Sequence, residues 1–180
     1  MNSPSHIVLV GLPGSGKSTV GPLLAAELKA PFVDLDLEIE RRERMSVADI
    51  FASLGEQEFR SMERLITQEL VSRPPSVIAP GGGWMLDESN VSMLRPPARI
   101  IHLVVSVSTA LKRLGAEISR RPLLAGPEGP AARSRFEALA AARMPLYSRA
   151  DAEISTENVT PQEVMNSGLR LAYAWGWPIG

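Results

Sequence analysis

Lys17 and Ser18 close the run GLPGSGKS, Gly11 to Ser18, whose residues are spaced as G-x-x-x-x-G-K-S. That spacing lets successive backbone N–H groups turn inward around an anion. A lysine ammonium then reaches the outer phosphates of a nucleotide, and a serine hydroxyl meets a divalent cation. The run follows the apolar stretch HIVLV and precedes a helical pattern, so a helix N-terminus adds its positive field. A glycine turn that merely joined two elements would not need the Lys-Ser pair. The chemistry implied is phosphoryl transfer from ATP with Mg²⁺. Gly14, Ser15, Gly16, Lys17, Ser18 and Thr19 are the candidate nucleotide contacts, and Ser18 is a candidate metal ligand.

Other residues could complete such a site. Pro31 to Asp36 reads as a strand ending in D-L-D, which predicts Asp34 and Asp36 on one side of an extended segment, at the edge where an open parallel sheet binds ligands. One carboxylate could steady the metal and the other take a hydroxyl proton, although either could simply cap the next helix. In GEQEFRSMER, Arg60 and Glu63 are i,i+3 neighbours on a helix whose apolar set is read as Phe59, Met62, Leu65 and Ile66. Taken alone, the pair reads as a surface salt bridge. The triplet Gly81-Gly82-Gly83 lets backbone amides approach a small ligand without Cβ interference. Arg121 and Arg143 could bind a carboxylate or phosphate through planar forks, while Arg120 is expected to be a solvated surface residue.

These residues need a scaffold. Short Ile/Val-rich runs at His6–Val10, Pro31–Val33, Ser76–Ala79, Arg99–Val105 and Ala152–Ser155 alternate with helical patterns such as Val20, Leu23, Leu24 and Leu28. Continuous rather than alternating hydrophobicity marks strands covered on both faces, so the class is α/β with a doubly wound parallel sheet. The 180 residues suit one domain, with no linker or repeat. Glu117 to Ala131, holding three prolines and two glycines, is irregular and reads as a mobile lid over about 117–131.

The 19 basic and 20 acidic residues leave a net charge of -1, which gives no global field for nucleic acid or an anionic membrane. The absence of cysteine excludes disulfides, thiolate zinc sites and thiol catalysis. No apolar stretch approaches the ~20 residues of a membrane helix, and the N-terminus lacks a signal-peptide pattern. A cytoplasmic, soluble monomer is expected.

Taken in order, GLPGSGKST, FVDLDLEIE, GEQEFR, GGG, RPLLAG and R-x-PLY resemble the shikimate kinase family from about His6 to Thr160. The resemblance implies a five-stranded parallel sheet flanked by helices, a P-loop kinase fold with a mobile lid. It implies phosphorylation of the 3-hydroxyl of shikimate on the route to chorismate and the aromatic amino acids. Carried over by motif, Asp34 helps hold Mg²⁺ through water, and Asp36 binds the acceptor hydroxyls and is the candidate base. Arg60 and Arg143 grip the shikimate carboxylate, Gly82 and Gly83 supply backbone contacts, and Glu63 holds the arginines. Arg121 is the lid arginine that reaches the transferred phosphate, and adenine lies between Arg113 and the loop Thr156 to Pro161. Lys17, Asp36 and Arg121 form the catalytic set.

The chain departs from the family pattern at Pro80, usually Thr, at Trp84, usually small, and in an Arg113–Arg121 interval about one residue longer. The tail GLRLAYAWGWPIG suggests no role. The nearest alternative is another small-molecule kinase of this fold, acting on gluconate or a nucleotide. A non-catalytic shikimate-kinase-like sensor is a further one, against which stand the retained Lys17, Asp36 and Arg121 and the five residues before the first strand, too few for a DNA-binding module.

Overall fold

Alternate residues of a strand face opposite sides of its sheet, so strands covered on both faces must be apolar at every position. The computed structural model, which describes residues 5–124 and 130–178, shows this in β1 (Ile7–Val10), where all four residues are buried. Ile7 and Leu9 join one core cluster, and Val8 and Val10 join the other. Four further strands are parallel to it: β2 (Phe32–Asp34), β3 (Val77–Ala79), β4 (Arg99–Val104) and β5 (Ala152–Ser155). The order is β2-β3-β1-β4-β5. The chain fills one side of β1 and then crosses to the other, so the carboxyl end of β1 is the point where connections diverge and a ligand crevice opens.

The helices are α1 (Lys17–Glu27), α2 (Leu35–Glu43), α3 (Val47–Ser53), α4 (Glu56–Leu70), α5 (Glu88–Leu94), α6 (Val107–Leu114), α7 (Pro130–Tyr147) and α8 (Pro161–Ala174). Short 3-10 segments cover Trp84–Leu86, Gly115–Arg120 and Pro122–Leu124. One face of the sheet packs against α1 and α8, and the other against α2, α4, α5, α6 and α7. Of the expected lid, residues 125–129 and the side chain of Arg120 lie outside the described residues. The part before them forms the two 3-10 turns, and α7 takes up the chain at Pro130.

Three expectations need correction. The second strand stops at Asp34, so Asp36 is not on an extended segment: Asp34 is the N-cap of α2, accepting from Leu37 N–H at 3.3 Å, and Asp36 occupies the first helical turn. A helix start brings the two carboxylates together, not a two-residue repeat. On α4 the buried residues are Phe59, Glu63, Ile66, Thr67 and Leu70, while Leu65 is 59% exposed. Two polar residues sit on the buried stripe, and reading only apolar positions rotated the predicted face toward Leu65. Leu23 on α1 is likewise exposed, whereas Val20 and Leu24 are buried.

The tail has a packing role. Trp177 is buried against the α1–α8 side and donates from Nε1 to the Leu28 carbonyl at 3.2 Å, closing the C-terminal end of α1. Arg99 stacks its guanidinium over the Trp175 ring, 5.8 Å from the centroid.

Candidate active site

At the end of β1 the chain turns through Gly14 (φ 79°) and Gly16 (φ 99°), left-handed conformations that only glycine adopts without strain. A Cβ on Gly14 would also lie 2.8 Å from the Ala110 carbonyl, so the loop is backed directly by α6. Gly16 caps α1, and the N-terminal end of that helix faces the crevice with its positive dipole. Lys17 Nζ donates to the carbonyls of Gly11 (2.9 Å) and Leu12 (3.2 Å), lying along the loop. Burial, seconded by the Arg121 charge, lowers its pKa to about 8. Ser15 is fully buried, its N–H bonded to the Leu12 carbonyl, and Thr19 lies exposed at the start of α1.

The Ser18 hydroxyl donates to Asp34 Oδ2 at 2.9 Å. These two oxygens, from α1 and the N-cap of α2, are the pair in the crevice suited to a hard cation. Among the described residues no group of three or more His, Cys, Asp or Glu could hold a metal by itself. This donor set matches Mg²⁺, which commonly takes one or two protein oxygens and completes its shell with phosphates and water.

Two cavities meet at Asp36, Gly81, Gly82, Glu117 and Arg121. One of about 350 Å³ is lined by the phosphate loop, Asp34, Pro80 and Arg113. The other, about 580 Å³, is walled by Arg60 and Arg143 on one hand and by Leu37, Phe51, Phe59 and Leu139 on the other. Asp36 Oδ1 is buried there with no hydrogen-bond partner among the described residues. Its pKa is raised by burial first and by Asp34 next, with Lys17, Arg121 and Arg60 pulling the other way. The Arg121 Nε is likewise buried with no partner among the described residues.

The glycine triplet separates the charged groups. A Cβ on Gly81 would lie 2.7 Å from Asp36 Oδ1 and 2.9 Å from Glu63 Oε1. One on Gly82 would lie 2.5 Å from Arg143 Nη1, and one on Gly83 2.5 Å from Arg60 Nη2. Absent side chains thus let both arginines lie flat against the loop. Arg60 donates to Glu63 Oε2 at 2.5 Å and, from Nη2, to Glu56 Oε1 at 2.9 Å. Glu63 is wholly buried and, because desolvation outweighs Arg60, its pKa rises to about 7. The sequence reading of a surface pair therefore fails for Glu63. Arg143 is 5% exposed, and burial lowers its pKa. Trp84 points away from the site into the core, its Nε1 donating to Thr67 Oγ1 at 2.9 Å. Glu56 and Thr67 had no signal in the sequence, being one acidic and one hydroxyl residue among many.

On the far side of the phosphate loop a third cavity, about 300 Å³, lies between Arg113, Thr156, Val159, Pro161 and Thr19. Arg113 is fixed there by bonds to the Gly14 carbonyl (3.2 Å), Thr156 Oγ1 (3.0 Å) and the Thr156 carbonyl (2.6 Å). Glu157 ties the same loop to the start of α6 by accepting from Ser106 N–H (2.5 Å) and the Thr109 hydroxyl (2.8 Å). The loop Thr156 to Pro161 was expected here, but the bonds of Thr156 and Glu157 were not legible, since they run across more than forty residues of sequence.

The shikimate kinase family profile matches residues 13–172. Shikimate kinase of Thermobifida fusca is 41% identical over 164 residues, 91% of this chain and 92% of that protein. Shikimate kinase of Symbiobacterium thermophilum is 44% identical over 162 residues, 89% and 91% of the two chains. The shikimate kinase of Acinetobacter baumannii, solved in complex with shikimate, superposes with a TM-score of 0.87 at 32% identity, over 96% of this chain and 94% of that one. A gluconokinase from Sinorhizobium meliloti shares the fold at a TM-score of 0.61 and 19% identity, over 97% of both chains. With the profile spanning most of its length and relatives at this level of identity, the chain belongs to the shikimate kinase family.

Proposed function

We propose that this protein transfers the γ-phosphoryl group of ATP to the 3-hydroxyl of shikimate, giving shikimate 3-phosphate and ADP, and that the residues described above carry the reaction. One observation supports this most: Asp36, Arg60, Arg121 and Arg143 converge on one cavity that opens onto the phosphate loop. An acceptor bearing a carboxylate and hydroxyls would present the first group to the two arginines and the second to Asp36. Leu37, Phe51, Phe59 and Leu139 offer an apolar wall to a carbocyclic ring.

In the reaction, the acceptor oxygen forms a bond to the γ-phosphorus while the bond from that phosphorus to the β-bridging oxygen breaks. Asp36 orients the hydroxyl and takes its proton. Lys17 and Arg121 offset charge on the phosphoryl oxygens, and because the transition state is loose, positioning contributes more than early proton removal. Ser18 and Asp34 would hold Mg²⁺, which neutralises phosphate charge when bound. Arg113 and Pro161 face each other across the third cavity and are assigned to adenine, while Gly82 and Gly83 present amides to the acceptor. Residues 117–131 act as a lid that brings Arg121 over the phosphates. The protein works as one domain and a cytoplasmic monomer, independent of nucleic acid. Among the described residues no helix is long and apolar enough to cross a membrane.

The test is ADP release with shikimate, quinate, gluconate and nucleoside monophosphates as acceptors. Turnover with shikimate at least about a hundredfold more efficient than with the others is expected. Preference for gluconate or a nucleotide would overturn the assignment, and binding of shikimate without ADP release would indicate a sensor.

A further inference from the structure

Tyr147, the last residue of α7, is buried beneath the glycine triplet with 1% of its surface exposed. Its hydroxyl donates to the Gly82 carbonyl at 2.8 Å, and both this oxygen and the Arg143 guanidinium lie against Gly82, 3.5 Å and 2.5 Å from where a Cβ would sit. A phenol oxygen can donate one bond and accept another, so this atom is placed to serve the Arg143 guanidinium as well as the carbonyl. The ring is set from behind by His102 of β4, whose ring centroid is 4.9 Å away and whose Nδ1 lies 3.1 Å from Glu153 Oε1. The position of the hydroxyl is therefore inherited from the sheet.

We propose that Tyr147 is a positioning residue for the acceptor, using one oxygen to fix both the Arg143 guanidinium and the plane of the Gly82–Gly83 peptide. That peptide is trans, and in a trans peptide the N–H points opposite to the C=O. Holding the Gly82 carbonyl toward the core turns the Gly83 N–H to the other side of the loop, toward the acceptor. Two elements that grip one ligand, an arginine from α7 and an amide from the loop after β3, are thus registered to each other before the ligand arrives. Backbone N–H groups of Trp84 and Leu86 hold the carbonyls of Gly81 and Gly83, and Tyr147 holds the one between them.

The proposal rests on the acceptor site assigned above. If wild-type protein fails to phosphorylate shikimate, that assignment falls; the role of Tyr147 is read from variants and spectra of protein that does. Tyr147→Phe keeps the ring against His102 and the core volume and removes only the hydroxyl. KM for shikimate should rise about tenfold while KM for ATP stays within about twofold. An acceptor analogue with a primary alcohol in place of the carboxylate should show a much smaller rise. In unmodified protein, shikimate without nucleotide should shift the Gly83 amide resonance strongly, a measurement that stands even if the variant does not fold. Equal rises in both KM values, no rise in either, or a Gly83 amide unmoved by saturating shikimate would overturn the proposal.

Discussion

Arg60 donates to Glu63 Oε2 at 2.5 Å, and that carboxylate is sealed from solvent while its other oxygen has no partner among the described residues. The guanidinium assigned to the acceptor carboxylate is thus itself held from inside the protein. Burial lifts the Glu63 pKa from 4.5 to about 7. A carboxyl with a pKa higher in the folded state binds more protons there, so its stabilising contribution is full below about pH 4.5 and is lost as pH rises to about 7. Glu63→Gln keeps the size and one acceptor oxygen and should gain on the wild type by about 3 °C in Tm between pH 5 and pH 8. Buried His6, whose pKa burial lowers, acts in the opposite sense but is common to both proteins. A Tm difference that did not vary with pH would contradict the burial argument.

Lys17→Met should reduce kcat by two or more powers of ten with little change in Tm. The ammonium is desolvated beside Arg121 and, among the described residues, bonded to two loop carbonyls, so removing its charge relieves repulsion as well as losing contacts. Turnover within tenfold of the wild type would contradict the assignment of Lys17 to the phosphates.

Asp34→Asn and Asp36→Asn should separate metal from acceptor. Asparagine caps helices about as well as aspartate, so α2 stays intact in the first variant, and the effect should appear as a higher Mg²⁺ requirement. Asp36→Asn should lose nearly all single-turnover transfer and weaken shikimate binding while ATP still binds. Exchange of these signatures between the two variants would reverse the division of labour.

Gly83→Ala places a methyl group 2.5 Å from Arg60 Nη2 at a backbone position (φ -98°) open to any residue. The arginine tip can move aside, so the fold should survive within about 2 °C. The displaced fork should raise KM for shikimate about tenfold and leave KM for ATP alone, as should Arg60→Lys and Arg143→Lys, which keep charge but lose bidentate geometry. Equal changes for both substrates would count against the carboxylate role.

Trp177→Ala should cost about 3 kcal/mol in urea unfolding, since a mostly buried indole and its bond to the Leu28 carbonyl are lost together. At a temperature where the variant is folded, KM values should match the wild type. A change in KM for ATP would mean the tail acts on the nucleotide site.

The central strands were legible because β1 and β3 are buried at every position and β4 at all but its two ends, a continuous apolar run bounded by polar stretches. The phosphate loop was legible because its glycines must lie at fixed intervals. The burial of Glu63 and Thr67 was not, for a polar residue on a buried face looks, in one dimension, like a residue on a solvated one. The D-L-D pair was placed at the right edge for the wrong reason: the sequence cannot show that the strand ends at Asp34 and hands Asp36 to a helix. Trp177 was opaque because its partner, Leu28, is 149 residues away.

The contact between Gly82, Gly83 and the two arginines bears on inhibitor resistance. A compound filling the 580 Å³ cavity assigned to the acceptor would rest against the Gly82 backbone, and the usual escape, growing a side chain into the bound drug, would there cost the enzyme the placement of its own arginines. Any larger residue there strikes Arg143 or Arg60 before it reaches the inhibitor. Escape mutants should therefore arise along the apolar wall, at Leu37, Phe51 or Leu139, and a compound that leans on the glycines rather than on that wall should select them less often.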